Sequence, residues 1–155
     1  MMSEQAVNEA RHPRYLARSI GAILAGFVFV FIVSLGTDEV LHLVGVFPPW
    51  GASLVGYDGA LLVATAYRII FGIAGSYIVA RLAPDRPMRH ALIGGFIGLA
   101  LSILGAAGTW NRGPAFGPHW YPLALVITAL PTAWAGGKLR LMHLSQPRES
   151  RRATA

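Results

Sequence analysis

The chain has 155 residues, 54% of them apolar and only 13% charged, with a formal net charge of +6 and no cysteine. About 25% of the residues in an ordinary soluble domain are charged, so most of this surface is expected to face lipid, and thiol redox chemistry, disulfides and cysteine-ligated metal are excluded. Loops and tails left over after the apolar stretches are too short for a separate soluble domain of typical size.

Taken in chain order, residues 1–14 are polar and read as an N-terminal tail. Charge-free runs then cover 19–37, 90–111 and 113–137, and a fourth run, 59–80, is interrupted only by Arg68. A helix needs roughly 20 apolar residues to cross a bilayer. The chain is therefore predicted to be all-α, a membrane-embedded four-helix bundle with helices at about 15–45, 59–83, 88–109 and 121–144 and a basic tail at 145–155. The first helix is longer than a bilayer requires and carries Asp38, Glu39 and His42 at its outer end. Residues 46–57 are apolar but broken by Pro48 and Pro49, and are expected to lie along the outer interface. Asp58 is suited to cap the second helix, Pro84 and Pro87 bracket a tight turn, and Pro131 falls inside the fourth helix. Residues 11–18 with the apolar run to Val33 and Ser34-Leu35-Gly36 also have the form of a cleavable signal peptide spanning 1–36, although apolar residues resume at Val40.

Basic residues sort by loop. Arg11, Arg14 and Arg18 precede the first helix, Arg81, Arg86 and Arg89 surround the second connection, and Lys138, Arg140, Arg148, Arg151 and Arg152 end the chain. The first connection has none and the third only Arg112. The positive-inside bias then predicts both termini in the cytosol, so the high net charge reads as topology and no nucleic-acid partner is expected. Small residues recur every four positions: Ala22 and Gly26; Ala64, Gly72, Ser76 and Ala80; Gly94, Gly98, Ser102 and Ala106; Ala124, Thr128, Thr132 and Gly136. Such stripes let helices approach closely, within one bundle or between copies in a homo-oligomer.

Arg68 occupies the open place in the second stripe, where an arginine needs a partner. Asp38 and Glu39 lie at a matching depth, which predicts an outer-leaflet ion pair with one of them and His42 one turn above. Such a pair serves either as a structural lock or as an anionic-substrate site or proton relay. Glu39-Val-Leu-His42 has the spacing of a metal-binding helical motif, and His119 and Asp58 could complete a mononuclear zinc or iron site with it, but one motif is too few for a di-iron bundle and no metal is predicted. Histidine pairs for haem (His42 with His119, His90 with His143) are equally weakly signalled, so no cofactor is predicted. Aromatic residues concentrate on the outer side, and the segment holding Trp110, Asn111, Arg112, His119 and Trp120, together with His42, is the expected recognition surface.

The stretches Gly36-Thr-Asp-Glu-Val-Leu-His-Leu43, Phe47-Pro-Pro-Trp-Gly51, Thr65-Ala-Tyr-Arg68, Ala107-Gly-Thr-Trp-Asn-Arg-Gly113 and His119-Trp-Tyr-Pro122 resemble those of small four-transmembrane-helix bacterial inner-membrane proteins, a family of uncharacterised function. That resemblance implies a bacterial inner (plasma) membrane location and no activity. Small multidrug exporters and fluoride channels match less well: the former imply a membrane-centre glutamate in the first helix, the latter a dual topology at odds with the basic bias. No nucleophile with an adjacent base stands out. The leading expectation is a non-enzymatic accessory or scaffold subunit that binds a partner through its outer loops or small-residue faces. A small oligomeric transporter or channel using Arg68 with Asp38 or Glu39 comes second, and a membrane enzyme or metal site around Glu39 and His42 third.

Overall fold

The computed structural model describes residues 2–145, with side chains from 15 onward, and the basic tail at 146–155 lies outside the described residues. Four helices run up and down: α1 (Met2–Leu43), α2 (Asp58–Leu82), α3 (Pro87–Thr109) and α4 (Trp120–Ser145), with a short 3-10 turn at Pro114–Phe116. Helix α1 is continuous through Ser34-Leu35-Gly36 and begins well before Tyr15. Three helices, Tyr15–Leu43 of α1 with α2 and α3, are long and apolar enough to cross a membrane. At 26 residues α4 is long enough, but threonines, Pro131 and two glycines dilute its apolar character. It lies against both α2 and α3, so less of its surface needs to suit lipid.

Local chemistry sets the boundaries. Ala83 ends α2 in an extended conformation (φ −55°, ψ 137°), as the residue before Pro84 must. Arg86 takes the left-handed conformation at φ 36°, and Pro87 opens α3 at its first position, where a missing N–H costs nothing. The expected cap at Asp58 is displaced by one: Tyr57 is the N-cap and makes no side-chain cap hydrogen bond. Asp58 instead sits in the first turn, where its charge suits the helix dipole, and accepts a 2.7 Å hydrogen bond from Trp120 Nε1. In α4 the helix continues through Pro131.

The bundle is packed with small residues. Ala22, Ala64, Ala80, Ala91, Ala106 and Ala133 are buried, whereas Phe31 (65% exposed), Leu104 (67%) and Ile127 (72%) point outward. The expected stripes of α2 and α4 meet: a Cβ on Gly72 would lie 3.2 Å from Thr132 Oγ1, and one on Gly136 would lie 2.7 Å from Ser76 Cβ and from the Tyr77 backbone nitrogen. Helix α1 uses a neighbouring face of α2, with Gly26 against Gly75, and Gly95 of α3 abuts Ala133 of α4. A helix wedged between two partners needs small residues on two adjacent faces, which a single four-residue stripe does not describe. These crossings fall from the middle of the helices toward the end where α1 starts and α4 finishes, labelled the inner end here and the opposite one the outer. Helix α1 packs mainly on α2 and touches α3 only lightly.

Replacing Gly136 with leucine should abolish monodisperse folded protein in detergent chromatography, because the new side chain would meet the backbone of Ile73 and Tyr77, which cannot move aside. Gly108→Ala, where a Cβ meets nothing within 4 Å, should leave the melting temperature unchanged.

Candidate functional site

Geometry of the helices brings Asp38 and Arg68 together. Measured from the Gly26–Gly75 crossing, Asp38 is twelve residues outward on α1 and Arg68 seven residues outward on α2. At 1.5 Å per residue their backbones differ in height by about 7 to 8 Å. Side chains lean toward the N-terminus of their own helix, so in these antiparallel helices Asp38 points inward and Arg68 outward, and the length of arginine closes the gap. Arg68 Nη2 lies 2.6 Å from Asp38 Oδ2. The other carboxylate oxygen, Oδ1, accepts from the Tyr67 hydroxyl. Asp38 is only 9% exposed, and the guanidinium carbon stands 5.9 Å and 5.8 Å from the ring centroids of Tyr67 and Tyr121. Arg68 Nε is enclosed by protein atoms without a hydrogen-bond partner.

Of the two acids the sequence offered, only Asp38 pairs with the arginine. Glu39 is exposed and accepts from Trp50 Nε1 at 3.3 Å. His42 does lie one turn above: its Nδ1–H donates to the Asp38 carbonyl oxygen at 2.8 Å, and its ring stacks on Trp50 at 3.9 Å. Trp50 is brought there by the segment between α1 and α2. It folds back over the helix ends and buries Phe47 against Leu61 and Ala64.

The outer connection between α3 and α4 closes on itself and on that segment. Gly113 (φ 92°) and Gly117 (φ 77°) take conformations that favour glycine, and the Leu54 N–H donates to the Pro114 carbonyl at 2.9 Å. His119 stacks on Trp110 at 4.2 Å and donates from Nε2 to its carbonyl oxygen at 2.8 Å. Trp120 is turned inward against the Phe47 cluster and toward Asp58, so it is not part of an open recognition surface, whereas Asn111 and Arg112 are exposed. Glu39, His42 and His119 are thus engaged separately, and among the described residues no three such side chains converge as a metal site. Of the other two described histidines, His90 is buried and bonds Ser19 Oγ at 2.9 Å, tying α3 to α1, and His143 meets the Tyr77 hydroxyl at 3.0 Å, tying α4 to α2.

Beneath the two outer segments lies a mostly apolar cavity of about 580 Å³, with Asp38, Arg68, Trp50, Phe116, Ser102 and Tyr121 in its wall. A second cavity of about 470 Å³ occupies the gap between α1 and α3, floored by α2 and α4. Arg68, Ser102 and Leu125 line both. Both volumes suit a small organic ligand. Sequence reasoning passed over Tyr67, Tyr121 and Trp50 as site residues, since aromatic side chains near a membrane boundary are ordinarily anchors. Tyr67 beside Arg68 and Trp50 beside Pro49 were the available signals, and Tyr121 had none. No protein-family model, curated protein or solved structure matches the chain.

Asp38→Asn should cost about 3–5 kcal/mol by stranding a buried guanidinium, read as loss of thermal stability in detergent. Glu39→Gln, at an exposed position, should fall within about 0.5 kcal/mol of wild type. The charge exchange Asp38→Arg with Arg68→Asp should recover part of the folded yield that either single change loses.

Proposed function

We propose that the chain is an integral protein of the bacterial inner membrane, crossing four times with both termini in the cytosol, and that it is a non-enzymatic accessory subunit that holds a membrane-soluble ligand in its outer cavity. Large apolar side chains exposed around all four helices support the embedding, since a water-soluble monomer rarely exposes so much contiguous apolar surface. Arg81, Arg86, Arg89, Lys138 and Arg140 at one end, against Arg112 alone at the other, support the orientation.

The binding role is carried by one observation: a cavity of about 580 Å³, roofed by two hydrogen-bonded loops, has the Asp38–Arg68 pair in its wall. A pair serving only to lock α1 to α2 would not need an open space beside it. Exposed Asn111 and Arg112 on the roof offer contacts to a protein partner. A transporter is the second reading, favoured by the shared lining of the two cavities at Arg68, Ser102 and Leu125, which makes a path from the outer face toward the middle of the bundle.

Native mass spectrometry of protein purified from its own membranes tests the first reading. A retained small-molecule adduct is expected on the wild-type chain and its loss on Ser102→Phe, which fills the junction of the cavities. An adduct-free spectrum from a folded wild-type chain would count against it. Solute flux in liposomes that Arg68→Ala abolishes would favour transport instead.

A further inference from the structure

Resting on that reading of the outer cavity, we propose that its ligand is an uncharged glyceride lipid, taken sideways out of the outer leaflet through the open side of the bundle between α1 and α3. Three sides of the bundle are closed: α1 packs on α2, α2 on α4 and α4 on α3, whereas α1 and α3 touch only lightly. That light contact includes the inner end, where His90 Nε2 meets Ser19 Oγ at 2.9 Å, and reaches the Phe27 ring, which a Cβ on Gly98 would approach to 3.8 Å. Outward of it the two cavities stand between the helices. Phe31, Ser34, Leu101 and Ser102 are in the wall of the second cavity, and Asp38, His42, Gly105 and Thr109 are in the wall of the outer one.

The lips of this opening face hydrocarbon. Phe31 and Leu101 are 65% and 55% exposed although both line a cavity, and Gly105 is exposed in the wall of the outer one. Measured by helical rise from the middle of its own span, Phe31 lies about 3 Å, Leu101 about 4 to 5 Å and Gly105 about 10 to 11 Å toward the outer end, all within the roughly 15 Å of one leaflet's hydrocarbon. None of the three is charged, so an alkyl chain passes between them without desolvating an ion. On the water side the two outer segments are joined over the cavity: the Leu54 N–H donates to the Pro114 carbonyl at 2.9 Å, and a Cβ on Gly117 would lie 3.4 Å from Leu54 and from Leu61.

Wall chemistry selects the head. Asp38 neutralises Arg68, so a charged head would give up its hydration without gaining a free counter-charge. Two hydroxyls remain within reach. Among the described residues neither Ser102 Oγ nor the Tyr121 hydroxyl has a hydrogen-bond partner in the protein, and unlike Arg68 Nε neither is fully enclosed. A hydroxyl both donates and accepts, which suits the alcohol and ester oxygens of a glyceride. Phe47, Trp50 and Phe116 make the rest of the wall apolar, and a cavity of about 580 Å³ takes the head and the first part of a chain, the remainder leaving between Phe31 and Leu101 into the leaflet. The glycine floor of the second cavity takes no part, because Thr132 covers Gly72 and Val30 covers Gly75.

The test loads the full chain in lipid nanodiscs with monolaurin, an uncharged single-chain glyceride, and counts bound molecules by native mass spectrometry. Saturable binding of one per chain is expected. Because the chain has no cysteine of its own, Phe31→Cys with Leu101→Cys can be joined across the lips by a reducible bismaleimide. Joining should slow uptake at least tenfold, and reduction should restore it. Leu54→Cys with Ala115→Cys, joined in the same way over the roof, should leave uptake unchanged. Uptake that survives the bridge between the lips, or that only the roof bridge stops, overturns lateral entry and leaves the binding cavity standing. Tyr121→Phe keeps the ring beside Arg68 and should weaken affinity about tenfold, the loss of one hydrogen bond. Unchanged affinity in that variant, melting as wild type, overturns the hydroxyl contact, and tighter saturable binding of dodecyl phosphate than of monolaurin overturns the uncharged head. If no probe binds saturably to normally melting wild type, and the chain purified from its own membranes carries no adduct, both the glyceride and the binding reading fall.

Discussion

A guanidinium buried between apolar helices is the constraint around which the outer half of this bundle is organised. Arg68 needs a counter-charge, and Asp38 is within reach only because α1 and α2 are antiparallel and their side chains lean toward each other. Once that pair forms, Asp38 has an oxygen left to accept, which the Tyr67 hydroxyl satisfies, and the guanidinium has faces left to cover, which Tyr67 and Tyr121 provide. Three helices are thereby tied to one charge: α1 through Asp38, α2 through Arg68 and Tyr67, and α4 through Tyr121. The loop above folds over the same region and buries Phe47 against Leu61 and Ala64.

The two halves of the molecule are held by different forces. Toward the inner ends, glycine and alanine bring backbones together at Gly26–Gly75, Gly95–Ala133 and Gly136 against α2, where dispersion between closely spaced atoms does the holding. Hydrogen bonds from His90 and His143 reinforce this end across helices. Toward the outer ends Arg68, the tyrosines and the folded loop stand between the helices and line the outer cavity. The second cavity lies between α1 and α3 beside the glycine crossings, because close approach of α1 to α2 and of α3 to α4 does not bring α1 against α3.

Much of this could be read from the residues. Charge-free runs located the four helices to within a few residues at most ends, and Pro84 and Pro87 located the turn, because length and proline act locally. An arginine amid small residues announced that it needed an acid at similar depth. What could not be read was set by tertiary contact: that Asp38 rather than Glu39 turns inward depends on which face of α1 meets α2, and Gly26 with Gly75 decides that. The inward fold of 44–57 was hidden because apolar residues beside prolines suit a membrane interface as well as a cavity roof. The described helix also continues N-terminally of Tyr15, where polar composition alone gave no helical signal.

Neutrality of the site follows from the same geometry and limits what the cavity is suited to hold. A lone buried arginine would attract phosphate or carboxylate, and a lone aspartate a cation. Paired at 2.6 Å the two largely cancel, so an occupant is selected by shape and by the aromatic surface of the wall rather than by net charge. A charged occupant would have to give up its hydration without gaining a free counter-charge, and that cost outweighs what additional apolar contact returns.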